Sequence, residues 1–324
     1  MLAVALFSIL LIAVVYLAGP RVSLDTDFTL PVLPPDLDNY LHQSEGGCND
    51  IAEGAEKTIH WANSETKEKT PFAFVYFHGF SATRQESMPV PEQIAEHFNS
   101  NIFYTRLTGN GRSDEAMAQG SVNSWINDAS EAMAIAAQIG HRTIIIGSST
   151  GASLGWWIAN QPTFASQIEA LVFFSPNFGL AKFGDGLLAG PWGKQLARII
   201  LGKYYETEVM SPEHLKYWST RYPTESLLPM MGLVKLATRF NPDNFKKPVF
   251  IAYSPHDDTV DAKKIKHFYE QLPGPKEALV IDEVDATSQH VICGDILAPQ
   301  NTKRATASIT AFLDSELQSS ASAS

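Results

Sequence analysis

The sequence predicts an α/β fold, a mostly parallel central sheet with helices on both faces. Three observations predict it. Short continuous apolar runs of strand length recur along the chain, and stretches with helical apolar spacing lie between them. A glycine–serine turn also stands where one such run gives way to a helix.

Composition bounds the possibilities. A chain of 324 residues with 44% hydrophobic residues has ample material for one large domain with an insertion, which excludes a mostly disordered chain. Lys and Arg number 24 against 35 Asp and Glu, giving a net charge of −11. An acidic chain with no basic stretch argues against nucleic acid as a partner. Two cysteines exclude a disulfide scaffold and a Cys-built zinc site.

The first 18 residues, MLAVALFSILLIAVVYLA, carry no charged side chain. As a helix they would span about 27 Å, enough for a thin hydrocarbon core, before Gly19 and Pro20 end it. The reading is an uncleaved transmembrane anchor, with a cleaved signal segment and a buried core helix as the alternatives. The anchor would leave the remaining chain membrane-attached and facing the extracytoplasmic side. Residues 19–56 read as a spacer stiffened by Pro31, Pro34 and Pro35 and solvated by Asp25, Asp27, Asp36 and Asp38.

Residues 57–313 carry the alternation. Lys57 to Trp61 is a strand candidate, and Ala73 to Phe77 is a stronger one, apolar throughout as in a strand covered on both faces. A helix near Pro91 to Phe98 precedes the strand Ile102 to Tyr104. Val122, Trp125, Ile126, Ala129, Met133 and Ala136 follow helical spacing. Strand Thr143 to Ile146, a turn and a helix from Thr150 come next, then strands Ala170 to Phe174 and Val249 to Tyr253. A helix marked by Ile265, Phe268, Tyr269 and Leu272, a strand Leu279 to Ile281 and a helix Ala305 to Leu313 complete the series. The Ser/Ala-rich residues 314–324 read as a disordered tail. The gap at about 179–247 is too long for a loop and is rich in large apolar residues, including Leu187, Trp192, Ile199, Tyr204, Trp218, Leu227 and Met230. It reads as a helical cap inserted between two strands.

One turn carries chemistry. Gly147-Ser148-Ser149-Thr150-Gly151 fits G-x-S-x-G, with a strand before it and a helix after it, which is the context that gives this motif meaning. Such a turn holds its central serine in strained backbone and presents the hydroxyl at the C-terminal edge of the sheet. A serine hydroxyl needs a base, and the base an orienting carboxylate, in the chain order Ser, acid, His. Of the later histidines, His214 falls in the cap, His256 adjoins the acid candidates and His267 lies on the polar side of a helix. His290, in the loop Ala286 to Ile292 after the last strand, is the candidate base. The strand Val249 to Tyr253 runs into Ser254-Pro255-His256-Asp257-Asp258, where Asp257 is the candidate acid and Asp258 is left to solvent or a turn. Two backbone N–H groups are needed for the oxyanion. Thr150 supplies one, and Phe80, in His78-Gly79-Phe80-Ser81 after the strand Ala73 to Phe77, supplies the other. His78 is read as a structural hydrogen-bonding residue.

These motifs, HGF at 78–80, GNGRS at 109–113, GSSTG at 147–151, SPHDDTV at 254–260 and SQHVI at 288–292, resemble the α/β-hydrolase superfamily across residues 57 to 313. The layout is similar to the monoglyceride lipase, lysophospholipase and serine aminopeptidase group, with a helical cap after the sixth strand. The resemblance implies Ser149 as nucleophile, Asp257 as acid and His290 as base, and acyl transfer to water with neither metal nor organic cofactor. Two positions depart from the group: Ser254 stands where a glycine often precedes the acid, and Asn110 where a histidine is frequent. Neither is chemically essential.

The expected partner is a small-molecule acyl substrate. The apolar cap and the expected membrane anchor favour lipid-like carboxylic esters. An aminopeptidase or amidase with the same triad is the alternative, with Glu206, Glu208 and Glu213 available to hold an ammonium group. A catalytically silent scaffold that binds a partner through the cap is the third. Cys48 and Cys293 are read as two separate thiols, although in an oxidising compartment a bond between them would pin the spacer beside the His290 loop.

Overall fold

The computed structural model describes residues 1–182, 185–282 and 288–322. Residues 183–184 of the expected cap, Ala286 and Thr287 of the His290 loop and the last two residues of the tail lie outside this set.

The central sheet is built from β1 (Thr58–His60), β2 (Thr70–Phe77), β3 (Asn101–Tyr104), β4 (Gly140–Ser148), β5 (Ile168–Phe174), β8 (Val249–Tyr253) and β9 (Lys276–Val280). Its order is β1-β3-β2-β4-β5-β8-β9. Only the edge strand β1 is antiparallel, pairing Ile59 with Phe103. The remaining pairs are parallel. The continuous apolar runs are explained by burial on both faces. Along β2, Ala73, Val75 and Phe77 face one core layer, whereas Phe74 and Tyr76 face the other.

Twelve helices surround the sheet or precede it. They are α1 (Leu2–Leu17), α2 (Leu37–Glu45), α3 (Val90–His97), α4 (Val122–Ile139), α5 (Thr150–Ala159), α6 (Pro162–Ala165), α7 (Asp185–Leu188), α8 (Gly193–Leu201), α9 (Pro212–Tyr217), α10 (Leu227–Ala237), α11 (Ala262–Gln271) and α12 (Pro299–Ser322), counted among the described residues. The first core layer takes Trp125, Ile126 and Met133 of α4, Leu154 and Trp156 of α5, Met231 and Leu233 of α10, and Ile265 of α11. Ile94 of α3 and Ile309 and Leu313 of α12 close the other. Helix α4 opens on a reciprocal cap, in which Ser121 and Ser124 each accept from the other's backbone N–H.

Between β5 and β8 the chain leaves the sheet, carrying α7 to α10 and a two-stranded ribbon of β6 (Tyr204–Glu206) and β7 (Arg221–Pro223). The excursion follows the fifth strand in chain order, one earlier than the resemblance implies, and is part ribbon rather than wholly helical. Leu228, Met230, Met231 and Val234 of α10 are buried, so much of the apolar content of this segment is core.

Three expectations are corrected. Helix α1 has 16 residues. It therefore measures about 24 Å, short of the ~30 Å of a hydrocarbon core. No helix of the described residues is long and apolar enough to cross a membrane. The transmembrane anchor, the membrane attachment and the extracytoplasmic placement built on it are withdrawn. Helix α1 stops where the Trp192 indole donates to the Val15 carbonyl and the Trp192 N–H to that of Pro20. Residues 19–56 do not behave as a spacer. Leu24, Phe28 and Leu33 pack on the first core layer, Phe28 meets Trp157 edge-on at 6.3 Å, and Leu37 and Leu41 of α2 are buried. The expected disordered tail continues α12 as far as Ser322, because Ile309, Leu313 and Leu317 repeat every four residues and cover the sheet. Cys48 and Cys293 are both free, and Cys293 is buried.

Candidate active site

The site is assembled at the C-terminal ends of β2, β4, β5 and β8. Ser149 follows β4 with φ 50° and ψ −115°, a conformation costly for a residue with a side chain. Its neighbours hold it there. Ser149 N–H donates to the Phe174 carbonyl at 2.8 Å, and the Ser149 carbonyl accepts from Ala152, Ser153 and Asn177. The motif's glycines answer close approach: a Cβ on Gly147 would lie 2.6 Å from the Ala152 Cα, and one on Gly151 would overlap the Phe77 carbonyl oxygen.

His290 comes to Ser149 from the loop after β9, with Nε2 at 2.9 Å from the Ser149 Oγ. Its Nδ1 lies 2.8 Å from Asp257 Oδ2. The other oxygen of Asp257 accepts from the N–H groups of Thr259 at 2.8 Å and Val260 at 2.9 Å, which fixes the carboxylate in its loop. The Asp257 side chain is fully buried, whereas Asp258 is 71% exposed with Lys182 at 3.6 Å. The two adjacent aspartates are thus separated by orientation. Burial opposes the charged form of His290, but the Asp257 charge and hydrogen bond outweigh it and hold the imidazole above its ordinary 6.5.

Phe80 follows β2 and Thr150 opens α5. Neither amide donates to a backbone or side-chain acceptor among the described residues. Between them His78 is fully buried. Leu107 N–H donates to its Nε2 at 3.0 Å, so the ring proton resides on Nδ1 and is donated to the Gly79 carbonyl at 2.8 Å. Burial lowers its pKa to about 4, keeping it neutral as a brace for the loop. The Phe80 ring meets Tyr222 at 5.3 Å and Trp125 at 6.2 Å, both edge-on, forming an aromatic wall beside the loop.

Sequence reading missed several supporting residues. The Ser175 hydroxyl donates to the His290 carbonyl at 2.7 Å. Ser288 Oγ accepts from the N–H groups of His290 and Val291. Glu86 is buried against Gly79 and Tyr76. None has a spacing signal, since each acts from a different loop. Of the histidines set aside, His214 accepts from the Met210 N–H and His256 pairs with Asp282 at 2.6 Å. A depression of 270 Å³ lined by Arg112, Asp114, Lys216 and Trp218 includes none of the five predicted site residues. Among the described residues, one grouping could hold a cation: His60, Glu92 and Glu96, with ligand-type atoms within 4.8 Å of one another. It shares no residue with this site, and His60 already pairs with Glu92 at 2.9 Å.

No protein-family model and no curated protein matches the chain. Solved structures do. A metagenome-derived lipolytic enzyme of the LipS and LipT pair aligns with 82% of this chain and 99% of its own at TM-score 0.63 and 18% identity. The monoacylglycerol lipase of Paleococcus ferrophilus aligns with 80% of this chain and 98% of its own at TM-score 0.56 and 16% identity. A soluble variant of monoglyceride lipase from Saccharomyces cerevisiae aligns with 81% of this chain and 91% of its own at TM-score 0.56 and 15% identity. At these identities the likeness is one of architecture: the chain has the α/β-hydrolase fold.

Proposed function

We propose that this chain is a serine hydrolase that cleaves carboxylic esters, with lipid-like acyl esters as substrates, through an acyl-enzyme on Ser149. The observation that carries the reading is the unbroken series Asp257 Oδ2, His290 Nδ1, His290 Nε2, Ser149 Oγ, with links of 2.8 and 2.9 Å. That geometry suits a nucleophile, a general base and an orienting acid.

In this mechanism Ser149 Oγ attacks the ester carbonyl carbon while His290 Nε2 takes the hydroxyl proton. Asp257 keeps the imidazole in the tautomer that offers Nε2 and stabilises its charged form. Phe80 and Thr150 N–H receive the oxyanion. Collapse expels the alcohol, protonated by His290, and leaves the acyl group on Ser149. Water activated by His290 then releases the acid. Each oxyanion donor is worth about 10²–10³ in rate.

The lipid-like choice rests on the aromatic wall at Phe80, Tyr222 and Trp125 and on the lipolytic names of the architectural neighbours. The aminopeptidase reading is less supported, because Glu206 is spent on Arg221 at 3.0 Å while Glu208 and Glu213 face solvent. A fluorophosphonate probe tests the core of the reading. Wild type is expected to label and Ser149→Ala to remain unlabelled. Equal labelling, or none on wild type, favours the silent scaffold. Rates on esters of increasing chain length against aminoacyl amides then test the substrate class.

A further inference from the structure

We propose that Glu86 is a positioning residue for this site, holding the Gly79 peptide of the oxyanion loop from behind and presenting a second negative charge to His290. The inference rests on the triad reading above.

Glu86 ends a short 3-10 turn, Arg84–Glu86, and is 2% exposed. Its Oε1 accepts from Gly79 N–H at 2.5 Å and from the Tyr76 hydroxyl at 3.0 Å, with a further contribution from the Ser148 hydroxyl. An ideal Cβ on Gly79 would lie 2.9 Å from Glu86 Oε2 and 3.4 Å from the Ser149 Cβ. The position a Gly79 side chain would take is therefore already occupied by the Glu86 carboxylate and bordered by the Ser149 Cβ, and a larger residue there would displace one of them. The next peptide along carries the Phe80 N–H and has its Gly79 carbonyl held by His78, so Glu86 and His78 together fix the two peptides that flank Gly79 and direct that donor.

The same turn also abuts the base loop. A Cβ on Gly294 would overlap the Glu86 carbonyl oxygen, and Asp295 N–H donates to the Met88 carbonyl at 2.8 Å. One short segment thus braces both the oxyanion loop and the loop carrying His290. The titratable groups facing Glu86 are Tyr76 from β2 and His290 and Cys293 from the loop after β9. Arg84 of its own turn lies instead over the Tyr104 ring. Of those facing groups, only His290 can become cationic, and the Glu86 charge favours its protonated form.

A buried carboxylate without a role would be a poor tenant of this position. Burial raises the Glu86 carboxyl to about 7, against the pull of the Gly79 N–H, the Tyr76 hydroxyl and His290. Glu86 and His290 each favour the charged form of the other, so removing the Glu86 charge withdraws one of the influences that raise the imidazole.

Two substitutions separate the two parts of the proposal. Glu86→Gln keeps an acceptor oxygen for Gly79 and removes the charge. Its acidic limb in kcat/KM on a short acyl ester is expected to move down by about 0.5–1 pH unit. Glu86→Ala removes the acceptor as well. Its kcat is expected to fall at least about tenfold below that of Glu86→Gln, with KM within about twofold, because a misdirected oxyanion donor acts on the transition state. Should Glu86→Ala not fold, the Glu86→Gln profile decides. A midpoint equal to wild type for Glu86→Gln, or wild-type kcat for Glu86→Ala, overturns the inference while leaving a labelled Ser149 and the triad intact. A wild type that neither labels with fluorophosphonate nor turns over overturns the triad reading itself, and this proposal with it.

Discussion

The Ser254 hydroxyl donates to Gln289 Oε1 at 2.8 Å and ties the loop of Asp257 to the loop of His290. Ser254 Oγ also accepts from His256 N–H at 3.1 Å. Ser254 is the position at which this chain departs from the glycine frequent in the group it resembles, and here the side chain has a job a glycine could not do. Asp257 and His290 are 33 residues apart and reach each other from separate loops. A bond one residue before His290 and three before Asp257 limits how far those loops can drift.

Ser254→Gly is therefore expected to lower kcat/KM about three- to tenfold, the worth of one net hydrogen bond of roughly 1 kcal/mol in keeping the pair aligned. Labelling by fluorophosphonate should slow in parallel, with the thermal midpoint little changed. Unaltered labelling would mean that the loops hold their register without this link.

The adjacent aspartates make a sharper test. Asp257→Asn leaves the loop shape in place but takes away the charge that orients His290, and kcat is expected to fall by about 10⁴. Asp258→Asn removes only an exposed carboxylate 3.6 Å from Lys182 and should leave kcat/KM within about twofold. Steady-state rates on one activated ester suffice. Equal losses for the two variants would dissolve the assignment of the acid.

The pH dependence follows from the direction of the His290 shift. The imidazole must be neutral to act as base, and it is held above its ordinary 6.5 by Asp257 against the opposing effect of burial. kcat/KM should thus rise with pH through a midpoint above 6.5 and then level off. In Asp257→Asn the supporting charge is gone, burial is unopposed by it, and the midpoint should move down. A wild-type midpoint below 6.5 would contradict the geometry.

Much of the fold was readable because its determinants are local. The strand Val249 to Tyr253 was located to the residue, as its five apolar side chains are bounded by Pro248 and Ser254. Gly147, Ser149 and Gly151 were readable because the turn, its strained central serine and the close approach of strand and helix lie within five residues. What was missed is set by distant contacts. Nothing near Leu17 reveals that Trp192, far along the chain, will fold over the end of α1 and fill the space beside Gly19. Phe28 lies among prolines and aspartates with no period, and its partners Trp157 and Phe164 are over a hundred residues on. Glu86 looks like any polar loop residue until the turn folds back on Gly79.

The buried pair of Glu45 and Arg106 carries the last prediction and the clearest case for treating residues 19–56 as part of the domain. Arg106 Nε donates to Glu45 Oε1 at 2.6 Å, with both side chains 8% exposed. Arg106 Nη1 also donates to the Asn110 carbonyl, and Glu45 Oε2 accepts from Lys57 N–H. Removing one partner leaves the other charge buried and unpaired, so Glu45→Ala is expected to cost about 3–5 kcal/mol in chemical denaturation. Replacing both with apolar residues of similar volume, Glu45→Met with Arg106→Met, should recover most of that loss, because desolvation of the two ions offsets much of their attraction. Limited proteolysis separates the two views of the segment. If α2 is held as part of the fold, cleavage within residues 24–56 appears in Glu45→Ala and not in wild type. A wild type already cut there at the same rate would return the segment to the status of a linker, and the pair would then be an ornament on a domain that does not need it.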